Sequence, residues 1–99
     1  MTSKKEGVKA ARLMKARTLL GGEVGKNLVK KAVERLTSKR WYQDDVVNEA
    51  YNIADALCPK DGLPQKNDDD EAIQESLYAL LQDEAYLAIK RRLPEDPDA

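Results

Sequence analysis

The glycine-rich segment 21–27 (GGEVGKN) is the first candidate for chemistry, because glycines and a lysine at a predicted helix start can hold phosphate. Its glycines lie closer together than those of a P-loop, no Ser or Thr follows Lys26, and no strand precedes it. The segment is therefore predicted to form a turn between two helices. As a weaker alternative, the turn presents backbone N–H groups and Lys26 to a phosphate of a larger partner.

Residue types that support catalysis are scarce. The chain contains no histidine and one cysteine, Cys58. Without histidine, it lacks the commonest general base, the His-activated Ser and Cys nucleophiles, and the commonest zinc ligand. Cys58 ends an apolar stripe beside Pro59, which favours a buried structural thiol. We therefore expect a protein that is not an enzyme and uses no cofactor.

The acidic run 68–71 (DDDE) is the remaining candidate for ion binding. It lacks the spacing of an EF-hand loop, which has glycine at its sixth position and glutamate at its twelfth. Acidic residues at a helix start accept hydrogen bonds from free backbone N–H groups and complement the helix dipole. The run is therefore predicted to cap a helix, and no metal site is expected.

Charge is divided unevenly along the chain. Residues 1–40 hold twelve Lys or Arg and three acidic residues, a net charge of +9, whereas residues 41–99 hold five basic and fifteen acidic residues, a net charge of −10. Such an asymmetry points to a charged partner. The predicted partner-binding residues are Lys9, Arg12, Lys15, Arg17, Lys26, Lys30, Lys31, Arg35, Lys39, Arg40 and Trp41.

Three interpretations of these residues stay open. In the leading one, the chain is a non-enzymatic interaction module (a regulator, adaptor or inhibitor) that docks on a protein with an acidic surface or on a nucleoprotein assembly. In the second, residues 4–42 bind DNA or RNA directly, with cations on phosphates and the aromatic pair 41–42 stacked on bases. In the third, the charged faces are only solvated and oppositely charged helices pack as neighbours. Trp41 has a competing role as a core anchor between the second and third helices.

The elements that must position these residues are predicted to be helices, in an all-α fold forming a small irregular bundle of four to five helices. Apolar residues recur at helical spacing over 24–37 and 43–57, which predicts amphipathic helices with a basic and an acidic outer face respectively. Residues 67–81 also fit a helix. The apolar stripe then changes phase at 82–84, which predicts a break followed by a short helix over 84–92.

The chain is predicted to divide into a basic, peripheral N-terminal helix (1–23), a helical core (24–93) and an acidic tail (94–99). Segment 8–20 favours helix, but its cations spread around the circumference and leave little apolar surface for docking. No apolar run approaches the ~20 residues that cross a bilayer, and no signal-peptide pattern or cysteine pairing is present. We therefore expect a cytoplasmic protein without a membrane partner, and a homodimer is a further option.

Overall fold

A computed structural model of the protein describes residues 4–60 and 76–93. Most of these residues lie in four α-helices, and the described residues contain no strand. No described helix combines the length and apolar character that crossing a membrane requires. The predicted all-α class and small helical bundle are confirmed. The helices are α1 (Lys4–Gly21), α2 (Glu23–Thr37), α3 (Gln43–Leu57) and α4 (Leu77–Arg92).

Helices α2 and α3 begin and end within a residue of their predicted bounds. Both form because their apolar residues recur at the helical period and their first turns suit the dipole. At the start of α3, the backbone N–H of Tyr42 donates to Oδ2 of Asp45 at 2.8 Å. Capping of this kind supplies a partner for a backbone group at the helix end.

Helix α4 runs without interruption through residues 82–84, so the predicted break is wrong. The phase change arises because α4 packs against all three other helices, and its buried residues therefore spread over a wide arc. Glu84, which interrupts the stripe, falls inside this arc between Leu77 and Leu80, and its side chain is 15% exposed. Its carboxylate oxygen is 3.4 Å from Nη2 of Arg17. A residue of the wrong type for the core is thus accommodated by an ion pair between helices.

Ser76 caps the start of α4, since its hydroxyl oxygen accepts a hydrogen bond from the backbone N–H of Ala79 at 3.2 Å. A single helix over 67–81 is therefore wrong, since the chain is extended at Ser76 and α4 begins at Leu77. The predicted helix start and acidic cap at 67–71 lie outside the described residues. The same is true of the acidic tail at 94–99, which stays a prediction.

The core consists of two adjoining clusters, in which the helices share buried aliphatic residues and one tryptophan. The first cluster joins α2, α3 and the second half of α4, and it contains Val29, Ala32, Leu36, Trp41, Val46, Ala50, Ile53, Ala85 and Ile89. The second joins α1, the end of α3 and the first half of α4, and it contains Ala16, Ala54, Leu77, Leu80 and Leu81.

The second half of α1 belongs to this core, which corrects the expectation of a peripheral first helix. Ala16 is fully buried, and Leu13 and Leu20 lie one helical turn to either side and pack against the two clusters. These three residues form a short apolar stripe at i, i+3 and i+7. The stripe is hidden when 8–20 is considered as one segment, because Lys9, Arg12, Lys15 and Arg17 spread around the helix.

An aromatic pair joins α3 to the beginning of α4. The rings of Tyr51 and Tyr78 are stacked with their centroids 6.4 Å apart. The Tyr78 hydroxyl donates a hydrogen bond to Oδ1 of Asp55 at 2.7 Å. Burial, and then this hydrogen bond, raises the pKa of Tyr78 to about 12.

The raised pKa predicts a loss of stability at alkaline pH. An unfolded tyrosine ionises near pH 10, whereas folded Tyr78 holds its proton to about pH 12. Its contribution to stability is therefore complete below about pH 10 and is lost as pH rises through 12. NMR titration of ring-labelled tyrosine should show Tyr78 ionising near pH 12, and Asp55→Asn should lower the pKa of Tyr78. Ionisation of Tyr78 near pH 10 would contradict the prediction.

Candidate cationic binding site

A cavity of about 480 Å³ lies where the end of α1, the beginning of α2 and the end of α4 meet. Among the described residues, its walls carry four cations from three helices and one carboxylate, and the remaining described lining is apolar or glycine. The cations are Arg17, Lys26, Arg91 and Arg92, the carboxylate is Glu84, and the other lining residues are Leu20, Gly21, Val29 and Ala88.

The course of α1 and α4 explains why the C-terminal ends of both helices reach this cavity. Arg17 meets Glu84, and the residues that follow each of them line the same space. The two helices therefore lie side by side and run in the same direction. Cations in the last turn of α4, Arg91 and Arg92, consequently stand next to the end of α1.

A single residue, Gly22, separates the end of α1 from the start of α2, and Gly25 permits the close approach of the two helices. Gly25 is buried, and a Cβ atom on it would lie 2.3 Å from the carbonyl oxygen of Leu20. Only glycine avoids that clash, so the first turn of α2 can rest against the end of α1. The predicted turn between two helices at 21–27 is thereby confirmed. Lys26, in the first turn of α2, lines the cavity.

The formal charge of the cavity lining is +3. Two helix C-termini and one helix N-terminus lie nearby, each contributing a partial charge of about 0.5, negative for the first two and positive for the third. Side-chain charge therefore dominates, and the potential in the cavity is positive. Arg91 and Arg92 have an ordinary role in complementing the end of α4, but that role leaves their outer N–H groups available to a ligand.

The four cations differ in whether they already pair with a carboxylate of the protein. Arg17 pairs with Glu84, and the two side chains are 62% and 15% exposed. Within the described residues, no salt bridge engages Lys26, Arg91 or Arg92, and all three are exposed. Counting only residues 4–60 and 76–93, an anion entering the cavity would meet three cations outside any salt bridge and one cation shared with Glu84.

Arg35, a predicted partner-binding residue, lies on the opposite flank of α2 and pairs with α3 instead. Its Nε donates to both carboxylate oxygens of Glu49, at 3.1 and 3.3 Å, and its Nη2 donates to Oε2 as well. This hydrogen bonding raises the pKa of Arg35. At this position, the third interpretation of the sequence applies: oppositely charged helices pack as neighbours.

Trp41 does not belong to a binding surface. Its side chain is 3% exposed within the first core cluster, so the predicted partner-binding role is wrong and the competing role as a core anchor is confirmed. Nζ of Lys90 lies 5.2 Å from the centre of its ring. The neighbouring Tyr42 is exposed instead, with the Arg40 guanidinium 5.6 Å from its ring centre.

The cavity thus gathers two of the predicted residues, Arg17 and Lys26, and adds two that sequence reasoning missed, Arg91 and Arg92. The missed pair lies in the half of the chain that is acidic overall, although the run 90–92 (KRR) in the last turn of a helix was a signal for it. Lys30 lies one turn after Lys26 on the same flank of α2. The other predicted cations are exposed and do not line the cavity: Lys9, Arg12, Lys15, Lys31, Lys39 and Arg40.

Metal ligation has no candidate in the described part of the chain. No three His, Cys, Asp or Glu side chains among residues 4–60 and 76–93 are grouped to hold an ion. The acidic run 68–71 lies outside these ranges. Cys58 is half-buried at the end of α3, with its Sγ 3.5 Å from the carbonyl oxygen of Pro59.

Comparison with known proteins identifies no relative. No protein-family model, no curated protein and no solved structure matches the chain. Function is therefore inferred from the cavity and its charges.

Proposed function

We propose that this protein is a non-enzymatic interaction module, acting as a regulator, adaptor or inhibitor, that docks an acidic segment of a partner protein in its cationic cavity. One observation carries the proposal: four cations from three helices converge on one cavity, whose described lining contains one carboxylate. Guanidinium groups bind carboxylates through paired N–H donors, so Arg17, Arg91 and Arg92 suit Asp and Glu side chains. Charge of this kind orients a partner and speeds its encounter.

A protein partner fits the geometry better than nucleic acid does. Binding of single strands uses aromatic platforms on which bases stack. Of the predicted pair 41–42, Trp41 is buried in the core, and the exposed Tyr42 does not line the cavity. Binding of duplexes uses cations distributed along the phosphate backbone, whereas these cations converge on a concave site at one end of the bundle. Direct binding of DNA or RNA through residues 4–42 is accordingly an alternative outcome of the test below.

The experiment measures binding of a fluorescent acidic peptide, and separately of single-stranded and duplex DNA, over a salt series that starts at about 50 mM. The double variant Arg91→Ala/Arg92→Ala is expected to weaken peptide binding five- to thirtyfold, roughly the effect of 1–2 kcal/mol. The cause is the loss of two cation–carboxylate contacts in the cavity. Fluorescence anisotropy gives the dissociation constants.

The matched control is Lys31→Ala/Lys39→Ala, which removes the same charge from exposed positions outside the cavity. This control should weaken peptide binding much less than the arginine double variant does. Equal losses in the two double variants would contradict the assigned site, and no peptide binding at low salt would overturn the proposal. If DNA binds more tightly than the peptide and depends on the same residues, nucleic-acid binding replaces it.

A second pair of variants is expected to separate tighter peptide binding caused at the cavity from a general effect of net charge. Glu84 competes with an incoming carboxylate for Arg17, so Glu84→Gln should tighten peptide binding. Asp83→Asn changes the net charge equally at an exposed neighbour that does not line the cavity. A gain confined to Glu84→Gln supports local competition, and an equal gain in both variants would show only a response to total charge.

A further inference from the structure

We propose that the segment docking in the cavity is amphipathic, with an aliphatic or aromatic side chain that inserts between its acidic residues; this inference rests on the proposed function. The observation behind it is the division of the cavity lining. Cations form part of the wall, whereas Leu20, Val29 and Ala88 supply an apolar surface from each of the three helices.

The apolar part of the lining is continuous with the core of the bundle. Val29 is buried in the first cluster, and Leu20 and Ala88 are half-buried residues packed against it. The cavity therefore opens a route from solvent to core aliphatic groups. Its volume of about 480 Å³ lies within the usual range for ligand sites.

An occupant with charge alone would leave this apolar surface uncovered. Exposed ion pairs contribute little, because solvent screens them and long side chains lose freedom. Burial of an apolar side chain against Leu20 and Ala88 adds an attraction that salt does not screen. The aliphatic stems of the arginines extend the same apolar wall. Carboxylates that meet the cations and an apolar group that meets Leu20, Val29 and Ala88 thus complement both kinds of lining residue.

The test compares two fluorescent peptides of equal length and equal negative charge, one with a central leucine and the other with serine at that position. The leucine peptide is expected to bind roughly tenfold more tightly, from burial of its side chain. Calorimetry at several temperatures should give it the more negative heat-capacity change, which marks apolar burial. Both readouts use the unmodified protein.

A cavity-filling variant locates the effect. Ala88→Leu places a side chain over the apolar lining, so the ratio of leucine-peptide to serine-peptide affinity, with both peptides measured on this variant, should fall to about one. Ala56→Leu adds the same group at an exposed position on α3 and should preserve the advantage. Circular dichroism checks folding, and Ala88→Gln replaces Ala88→Leu if the latter unfolds, with the same expectation.

The outcomes separate this inference from the proposed function. If neither peptide binds, the proposed function fails. If both peptides bind equally, with equal heat-capacity changes and no effect of the Ala88 variants, the inference is overturned and acidic docking stands.

Discussion

Trp41→Ala is expected to destabilise the protein by about 3–5 kcal/mol, most of the free energy of unfolding of a domain this small. The indole is buried at the junction of α2 and α3, where it contacts the cluster that also holds the second half of α4. Truncation removes a large apolar surface and leaves a cavity that these helices cannot close. It also removes the ring beneath the Lys90 ammonium.

Urea unfolding followed by far-UV circular dichroism measures the change, since the variant loses its only tryptophan. Met14→Ala is the control: this side chain is 69% exposed, and its removal should alter stability by less than about 0.5 kcal/mol. Trp41→Phe should fold and bind the acidic peptide normally. A stable Trp41→Ala variant that fails to bind would instead restore Trp41 to the binding surface.

Gly25→Ala is expected to cost about 2–3 kcal/mol, although alanine is ordinarily the better helix former. The added Cβ would lie 2.3 Å from the Leu20 carbonyl oxygen and 2.6 Å from that of Leu19. Both atoms belong to the backbone, so α2 must move away from α1. Because Lys26 follows directly, the same movement should also weaken peptide binding in the cavity.

Gly21→Ala provides the matched control four residues away. A Cβ atom on Gly21 meets nothing within 4 Å, and the residue ends α1 without a positive φ. The Gly21→Ala variant should be as stable as the unmodified protein or more stable by a few tenths of a kcal/mol. Equal unfolding midpoints for Gly25→Ala and the unmodified protein would show that α1 and α2 can separate without loss of stability. Glycine at position 25 would then not be required for their close approach.

Prediction from sequence succeeded where the signal is local. The bounds of α2 and α3 follow from apolar residues spaced at the helical period within each segment. The interhelical turn at 21–27 follows from its glycines. Prediction failed for α4, because the phase of its stripe depends on how many helices surround it, which no single segment encodes.

The sequence did not predict the cavity, but it did assign two of the lining cations to partner binding. Arg17 and Lys26 were chosen because they lie in the basic half of the chain, but Arg91 and Arg92 were overlooked because their half is acidic. Counting charge along the chain ignores which helix ends become neighbours. In the fold, cations from both halves meet at one end of the bundle, while Arg35 and Glu49 bring opposite halves together elsewhere.

By itself, the amino-acid sequence determined that this protein is helical, where α2 and α3 lie, and how strongly charged each half is, because periodicity and composition act over a few turns of chain. Tertiary structure alone decided that Trp41 is buried, that α4 is continuous and that four particular cations share a cavity. These properties depend on contacts between residues tens of positions apart. Such contacts are set by the joint packing of all the helices, and no local pattern specifies them.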